Sequence, residues 1–140
     1  MKKIVVVDKR EHSLARIYFI ADVKKYQVLT QNDFTLASAT LSHEMPDVLL
    51  VNCDLYKGDF TEFIRAVRAL SQDIRIIGFS WKVSETFRRS GSPFALDAFI
   101  KMPMDVRKLS LALEAIECNY MLFPSDIMAN RSAAQHGASL

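Results

Sequence analysis

A chain of 140 residues is one domain of ordinary size, long enough to bury a single core without a metal or a disulfide to staple it. Half of its residues are apolar and 24% are charged, which excludes a disordered segment. The net charge of +2, with basic residues scattered in pairs such as Lys2-Lys3 and Arg88-Arg89, is too weak to argue for a nucleic-acid surface.

In chain order, short apolar runs alternate with longer helical stretches. IVVV at 4–7 is wholly β-branched and reads as a strand buried on both faces. Leu14, Ile17, Tyr18 and Ala21 then repeat at helical spacing. QVLTQ at 27–31 is a second, more polar strand, and Asp33 is placed to cap a helix over 33–44 with Phe34, Leu36, Ala37 and Leu41 facing inward. VLLV at 48–51 is a third buried strand. Asp59, with Glu62 three residues on, makes a capping-box-like start to a helix carrying Phe60, Phe63, Ile64, Val67 and Leu70. IRIIGFS at 74–80 is strand four, and Ser84 begins a short helix, through Arg89, that the SGSP breaker at 90–93 ends. DAFIK at 97–101 is strand five, and Asp105 caps a last long helix with Leu109, Ala112, Leu113 and Ile116 inward.

Five strand–helix pairs in strict alternation predict an α/β fold: a doubly wound, five-stranded parallel sheet with helices on both faces, joined by right-handed crossovers. Residues 1–121 form this domain. Residues 122–140 lose periodicity and turn small and polar after about Asn130, which predicts one short helix from Ser125 and then a linker toward a domain outside this chain. Cys53 and Cys118 share no CxxC spacing and read as reduced thiols. The apolar runs are too short to span a membrane, and the start MKK leads straight into a strand rather than a signal peptide, so a cytoplasmic protein is expected.

An open parallel sheet places its ligand crevice outside the carboxyl ends of its strands, where the strand order reverses. Those ends are Asp8-Lys9, Asn52, Ser80 and Lys101-Met102-Pro103. An acid and a base, an amide, a hydroxyl and a base-then-proline corner thus gather on one edge. This series, with Asn52 following PDVLLV and with the spacings from Asn52 to Ser80 and from Ser80 to Met102, resembles the receiver domain of two-component response regulators. The resemblance covers residues 2–120 and implies the flavodoxin-like, CheY-like strand order 2-1-3-4-5.

Departures from the family's pattern bear on function. The resemblance implies two acids at the end of strand one, which hold Mg²⁺ together with a phosphorylatable aspartate at the end of strand three. Here the matching positions are Asp8, Lys9 and Asn52. Magnesium needs several short oxygen contacts, and an ammonium about 4 Å from a divalent cation repels it by about 8 kcal/mol at an effective dielectric of roughly 20. An amide has no carboxylate oxygen to form an acyl phosphate. The family's lysine aligns with Met102, while Lys101, one position early, falls on the other side of strand five. Ser80 alone keeps the family's residue type. Asp8, Lys9, Asn52, Asp54, Ser80, Lys101 and Met102 therefore read as a degenerate phosphoacceptor pocket with no metal, no cofactor and no catalytic residue. Lys9 is expected to pair with Asp8 or Asp54 in the metal's stead.

Three aromatics are candidates for a switch or an interface. Phe99 matches the family's reporter aromatic, a role that competes with plain core packing. Trp81, the only tryptophan, follows Ser80 directly, and Phe87 with Phe94 flanks Arg88-Arg89. Family members dimerise through the first and fifth helices, or through the face of helix four, strand five and helix five, so a homodimer is expected. The tail LALEAIECNYMLFPSDIMANRSAA resembles the end of receivers of the NarL/FixJ class, which lead by a linker to a LuxR-type helix-turn-helix. That resemblance implies DNA binding through a C-terminal domain absent from this chain, with another regulator or a sensor protein as a further partner. The expected role is the regulatory and dimerisation domain of an atypical transcription regulator, acting without aspartyl phosphorylation and not as an enzyme. Two alternatives stand beside it: a phosphorylatable receiver using Asp54, and a small-molecule-binding domain using the strand-end crevice. Against the latter, no glycine-rich phosphate loop follows strand one. His12, His43 and His136 fall on a helix start, a helix end and the tail.

Overall fold

All five predicted strands form. The computed structural model describes residues 1–9, 11–56, 60–82, 96–118 and 127–128. Strands β1 (Lys2–Val7), β2 (Tyr26–Gln31), β3 (Val48–Asn52), β4 (Arg75–Ser80) and β5 (Ala98–Lys101) lie parallel in the order β2-β1-β3-β4-β5. Helices α1 (Glu11–Val23) and α4 (Val106–Cys118) pack on one face, and α2 (Phe34–Glu44) and α3 (Phe60–Leu70) on the other. This is the doubly wound architecture expected from the alternation of patterns.

The pleat sorts the core into two layers. Ile4 and Val6 join Leu50, Ile77, Phe79 and Ile100 under α1 and α4, while Val5, Val7, Leu49, Val51, Ile76 and Phe99 point the opposite way toward α2 and α3. With both faces covered, the central strands show no polar alternation, and β3 is buried at every position. Asp33 caps α2 by accepting from the Thr35 N–H at 2.7 Å, and Asp105 accepts from the Lys108 N–H at 2.7 Å at the start of α4. Leu109, Ala112, Leu113 and Ile116 are buried as their spacing predicts.

Tyr18, Leu36 and Leu70, which the spacing places inside, are exposed instead. A covering helix buries a stripe only about 100° wide, and Ile17, Ala37 and Val67 already occupy it. The predicted cap Asp59 and the predicted helix over 84–89 lie outside the described residues. At the far end of the sheet the Tyr26 hydroxyl donates to Glu117 at 2.7 Å, tying β2 to α4. Burial, with that carboxylate beside it, pushes the phenol well above its ordinary pKa. Among the described residues, no helix is long and apolar enough to cross a membrane.

The tail departs from expectation. Ile127–Met128 form a short strand, β6, antiparallel to β5, where a helix from Ser125 is expected. Met128 lies opposite Phe99 and Ile127 opposite Ile100, so two residues pair with backbone groups that would otherwise form an open edge.

Gly78, midway along β4, marks how closely the layers approach beneath the strand ends. A Cβ there would sit 2.9 Å from both Cys53 Sγ and Leu96 Cδ1. Gly78→Ala is expected to cost about 2 kcal/mol by overpacking, read as a lower urea midpoint with an unchanged slope.

Candidate functional site

Three strand ends carry the buried polar side chains of the described residues, and no others do. Asp8 after β1, Asn52 at the end of β3 and Ser80 at the end of β4 are each at most 2% exposed. The Asp8 N–H donates to Gln31 O at 3.0 Å and so continues the β1–β2 ladder past the strand. Asn52 Nδ2 donates to Asp8 Oδ1 at 3.0 Å, and Asn52 Oδ1 accepts from the Asp54 N–H at 3.0 Å. A carboxylate here accepts and a backbone N–H donates, so these two partners decide which way the amide points. They also explain the residue type. A carboxylate at this position would set two acidic oxygens 3.0 Å apart with no donor between them.

The Asn52 side chain caps a single 3₁₀ turn, Cys53–Leu55, and that turn carries Asp54 toward β4. Asp54 Oδ1 accepts a short hydrogen bond from the Ser80 hydroxyl, and Oδ2 accepts from the Trp81 N–H at 2.9 Å. Ser80 Oγ accepts in turn from the Lys82 N–H at 2.8 Å, and Ser80 O from the Met102 N–H at 2.9 Å. One hydrogen-bonded chain thus runs from Asp8 through Asn52 and Asp54 to Ser80 and Trp81. It joins the ends of β1, β3 and β4, and reaches the corner after β5.

Lys9 does not pair as expected. Its backbone N–H donates to Asp8 Oδ1 at 2.8 Å, but its side chain is exposed and its ammonium pairs with neither Asp8 nor Asp54. Asp8 Oδ1 and both Asp54 oxygens already have donors held by the backbone or by short side chains, and Asp8 Oδ2, which has none, is buried away from the exposed Lys9 chain. Ordering a long lysine chain there would add an entropy cost for little gain. Lys9 instead lines, with Asn32, Thr35 and Tyr56, an open cavity of about 570 Å³ between the start of α2 and the 3₁₀ turn.

Lys101 and Met102 part as strand alternation requires. Lys101 is exposed, while Met102 is buried in the core beneath α1 and α4. The ammonium that does reach this corner belongs to Lys108, which donates to Pro103 O at 2.8 Å and Lys101 O at 3.3 Å. Its place, one helical turn past the cap Asp105, was the available sequence signal. Phe99 is 1% exposed and packs in the core, so in this conformation it is not an interface residue. Trp81 is 49% exposed, so its ring lies open at the surface rather than sealed over the pocket. Phe87 lies outside the described residues.

The donor set can be tested against a magnesium ion. Asp8 Oδ2 is the one buried side-chain oxygen or nitrogen among the described residues without a hydrogen-bond partner. Beside it, however, Asn52 turns N–H hydrogens rather than oxygen toward Asp8, and both Asp54 oxygens are taken. Among the described residues, no three acidic, His or Cys side chains converge as metal ligands would. A single uncommitted carboxylate oxygen does not fit an ion that demands an octahedral oxygen shell. The mismatch lies in the amide and in the engaged Asp54, and the exposed Lys9 side chain adds no oxygen to the set.

No family model matches the chain. The phosphate regulon transcriptional regulatory protein PhoB of Klebsiella pneumoniae is 22% identical over 117 residues, covering 82% of this chain and 51% of that protein. The chain therefore spans about half the length of this curated relative. A response regulator receiver domain protein from Clostridium thermocellum matches with a TM-score of 0.69 at 18% identity, over 85% of this chain and 97% of the other. A CheY-like response regulator receiver domain from Methylobacillus flagellatus matches with a TM-score of 0.70 at 14% identity, over 83% and 98%. At these identities the likeness establishes the fold, which is that of response-regulator receiver domains.

Proposed function

We propose that this chain is a response-regulator receiver domain that works through contacts between surfaces rather than through phosphoryl transfer. The observation that carries the reading is the Asn52 Nδ2–Asp8 Oδ1 hydrogen bond. It puts a neutral donor where an acyl phosphate would need a nucleophilic carboxylate, and it closes the pocket on itself without a cation. The domain is then a pseudo-receiver, with no catalytic step and no cofactor of its own.

In this reading the domain is the N-terminal part of a cytoplasmic transcription regulator of the NarL/FixJ class. DNA is bound by a helix-turn-helix domain beyond residue 140, and a homodimer places two such domains on one site. The name of the PhoB relative, a transcriptional regulatory protein, supports control of transcription. Exposed Tyr18, Phe19 and Val23 on α1 support a contact role, while β6 lies along the outer edge of β5. Another regulator or a sensor protein would dock on the same kind of surface.

Incubation with acetyl phosphate and Mg²⁺ tests the reading by intact mass. The mass is expected to stay unchanged, and sedimentation should show the same dimer with and without beryllofluoride. A stoichiometric phosphoryl adduct mapped to Asp54 would replace this reading with that of a phosphorylatable receiver.

A further inference from the structure

We propose that the outer edge of β2 is an interaction surface and that its occupant is the same strand of a second copy of this chain. This face rests on the surface-contact reading above and gives the homodimer its location. The sheet has two outer edges. That of β5 is met by β6 of the same chain, whereas β2 pairs with β1 alone, and no described strand lies along its other side. Strand β2 runs from Tyr26 to Gln31 with no proline, charged residue or bulge in it, so none of the usual devices blocks an incoming strand. The Asp8 N–H donates to Gln31 O, which turns the backbone groups of Gln27, Leu29 and Gln31 toward β1 and those of Tyr26, Val28 and Thr30 outward.

A second copy suits this edge because the strand is complementary to itself. A two-fold axis perpendicular to the sheet sets two β2 strands antiparallel and keeps like faces together. With Leu29 opposite Leu29 of the second copy, Val28 meets Thr30 and Gln27 meets Gln31. Val28 and Thr30 then exchange backbone hydrogen bonds, and Leu29 falls in the close, non-hydrogen-bonded pair. Leu29 is half-buried, and a groove of about 350 Å³ between it and α2, lined also by Gln31, Ala39 and His43, leaves room for the second leucine. The same register carries Lys25 of each copy toward Asp33 of the other, and both side chains are exposed. Their opposite charges favour it over the register shifted by two residues, in which Lys25 meets Gln31.

Sedimentation equilibrium of the wild type should give a dimer. Thr30→Pro removes an outward N–H while leaving the β1 ladder its bonds, and should weaken the dimer at least tenfold. Lys25→Glu sets like charges opposite Asp33, disturbs no buried contact and should weaken it several-fold. In a Cys118→Ser background, Leu29→Cys should give a disulfide-linked dimer on addition of diamide, because the Cα atoms of such a pair lie about 4.5 Å apart, within reach of the bond. A wild type that stays monomeric at every concentration, a dimer unchanged in Lys25→Glu, or a Leu29→Cys variant that does not cross-link would each overturn the inference. Should Thr30→Pro not fold, Lys25→Glu and the cross-link decide the matter. Intact mass after acetyl phosphate separates the two failures. An adduct on wild type removes the phosphate-independent reading whatever the dimer face, whereas a dimer indifferent to these substitutions, without an adduct, removes only the β2 interface.

Discussion

Asn52→Asp is expected to lose about 3 kcal/mol of folding free energy at neutral pH, the scale of an uncompensated buried charge. The substitution is nearly isosteric, so packing changes little. What changes is one donor: the amide nitrogen 3.0 Å from Asp8 Oδ1 becomes a second carboxylate oxygen, at a pair of residues each 2% exposed. Like charges at that distance raise the pKa of one member of the pair in the folded state. Between the ordinary carboxylate pKa and that raised value the folded protein binds more protons than the unfolded chain, so stability falls as pH rises. The loss should therefore shrink on acidification and approach zero once both states hold the proton. Added Mg²⁺ should stabilise the variant, because the introduced carboxylate and Asp8 would together offer the cation what the wild-type amide does not. Urea midpoints measured across the acidic-to-neutral range, with and without Mg²⁺, check both arms. A variant as stable as wild type at neutral pH would show that the pair does not decide the residue at position 52.

Phe60→Ala is expected to cost about 4 kcal/mol, the middle of the range for truncating a fully buried aromatic. Phe60 has no exposed surface and sits 5.6 Å from the Tyr56 ring and 5.8 Å from the Phe63 ring, centroid to centroid. Phe34, at the start of α2, closes the cluster edge-on at 4.8 Å from both Tyr56 and Phe63. This cluster clamps the residue that follows the 3₁₀ turn against two helices, so it also steadies the turn that carries Asp54. Denaturant unfolding should record the loss, and Trp81 emission should shift with it if the turn loosens. Phe60→Leu keeps most of the volume and should cost roughly half as much. Equal losses in the two variants would mean that the ring contacts, rather than the filled space, set the energy.

Much of this molecule is written in local pattern. The β-branched run at 4–7 and the apolar run at 48–51 need both faces covered, and that requirement leads to a parallel sheet between two helical layers. Asp33 and Asp105 announce their helices because a short side chain that accepts a hydrogen bond acts within a few residues of itself. The gathering of Asp8, Asn52 and Ser80 at one edge follows from their place at strand ends once the strands are parallel. Other features depend on which distant groups compete for the same partner. Lys9 and Asp54 lie equally close to the crevice in sequence, yet one stays in water and the other is drawn across to β4. The long cation loses more rotamer freedom by pairing than the short acid does, and the donors at Ser80 and Trp81 come from a strand that starts more than a helix later in the chain. Strand β6 is the same case, since two residues of an aperiodic tail become a strand only because the outer edge of β5 offers them backbone partners. Periodicity and caps are short-range and belong to the sequence; the choice among partners is made only when the chain has closed on itself.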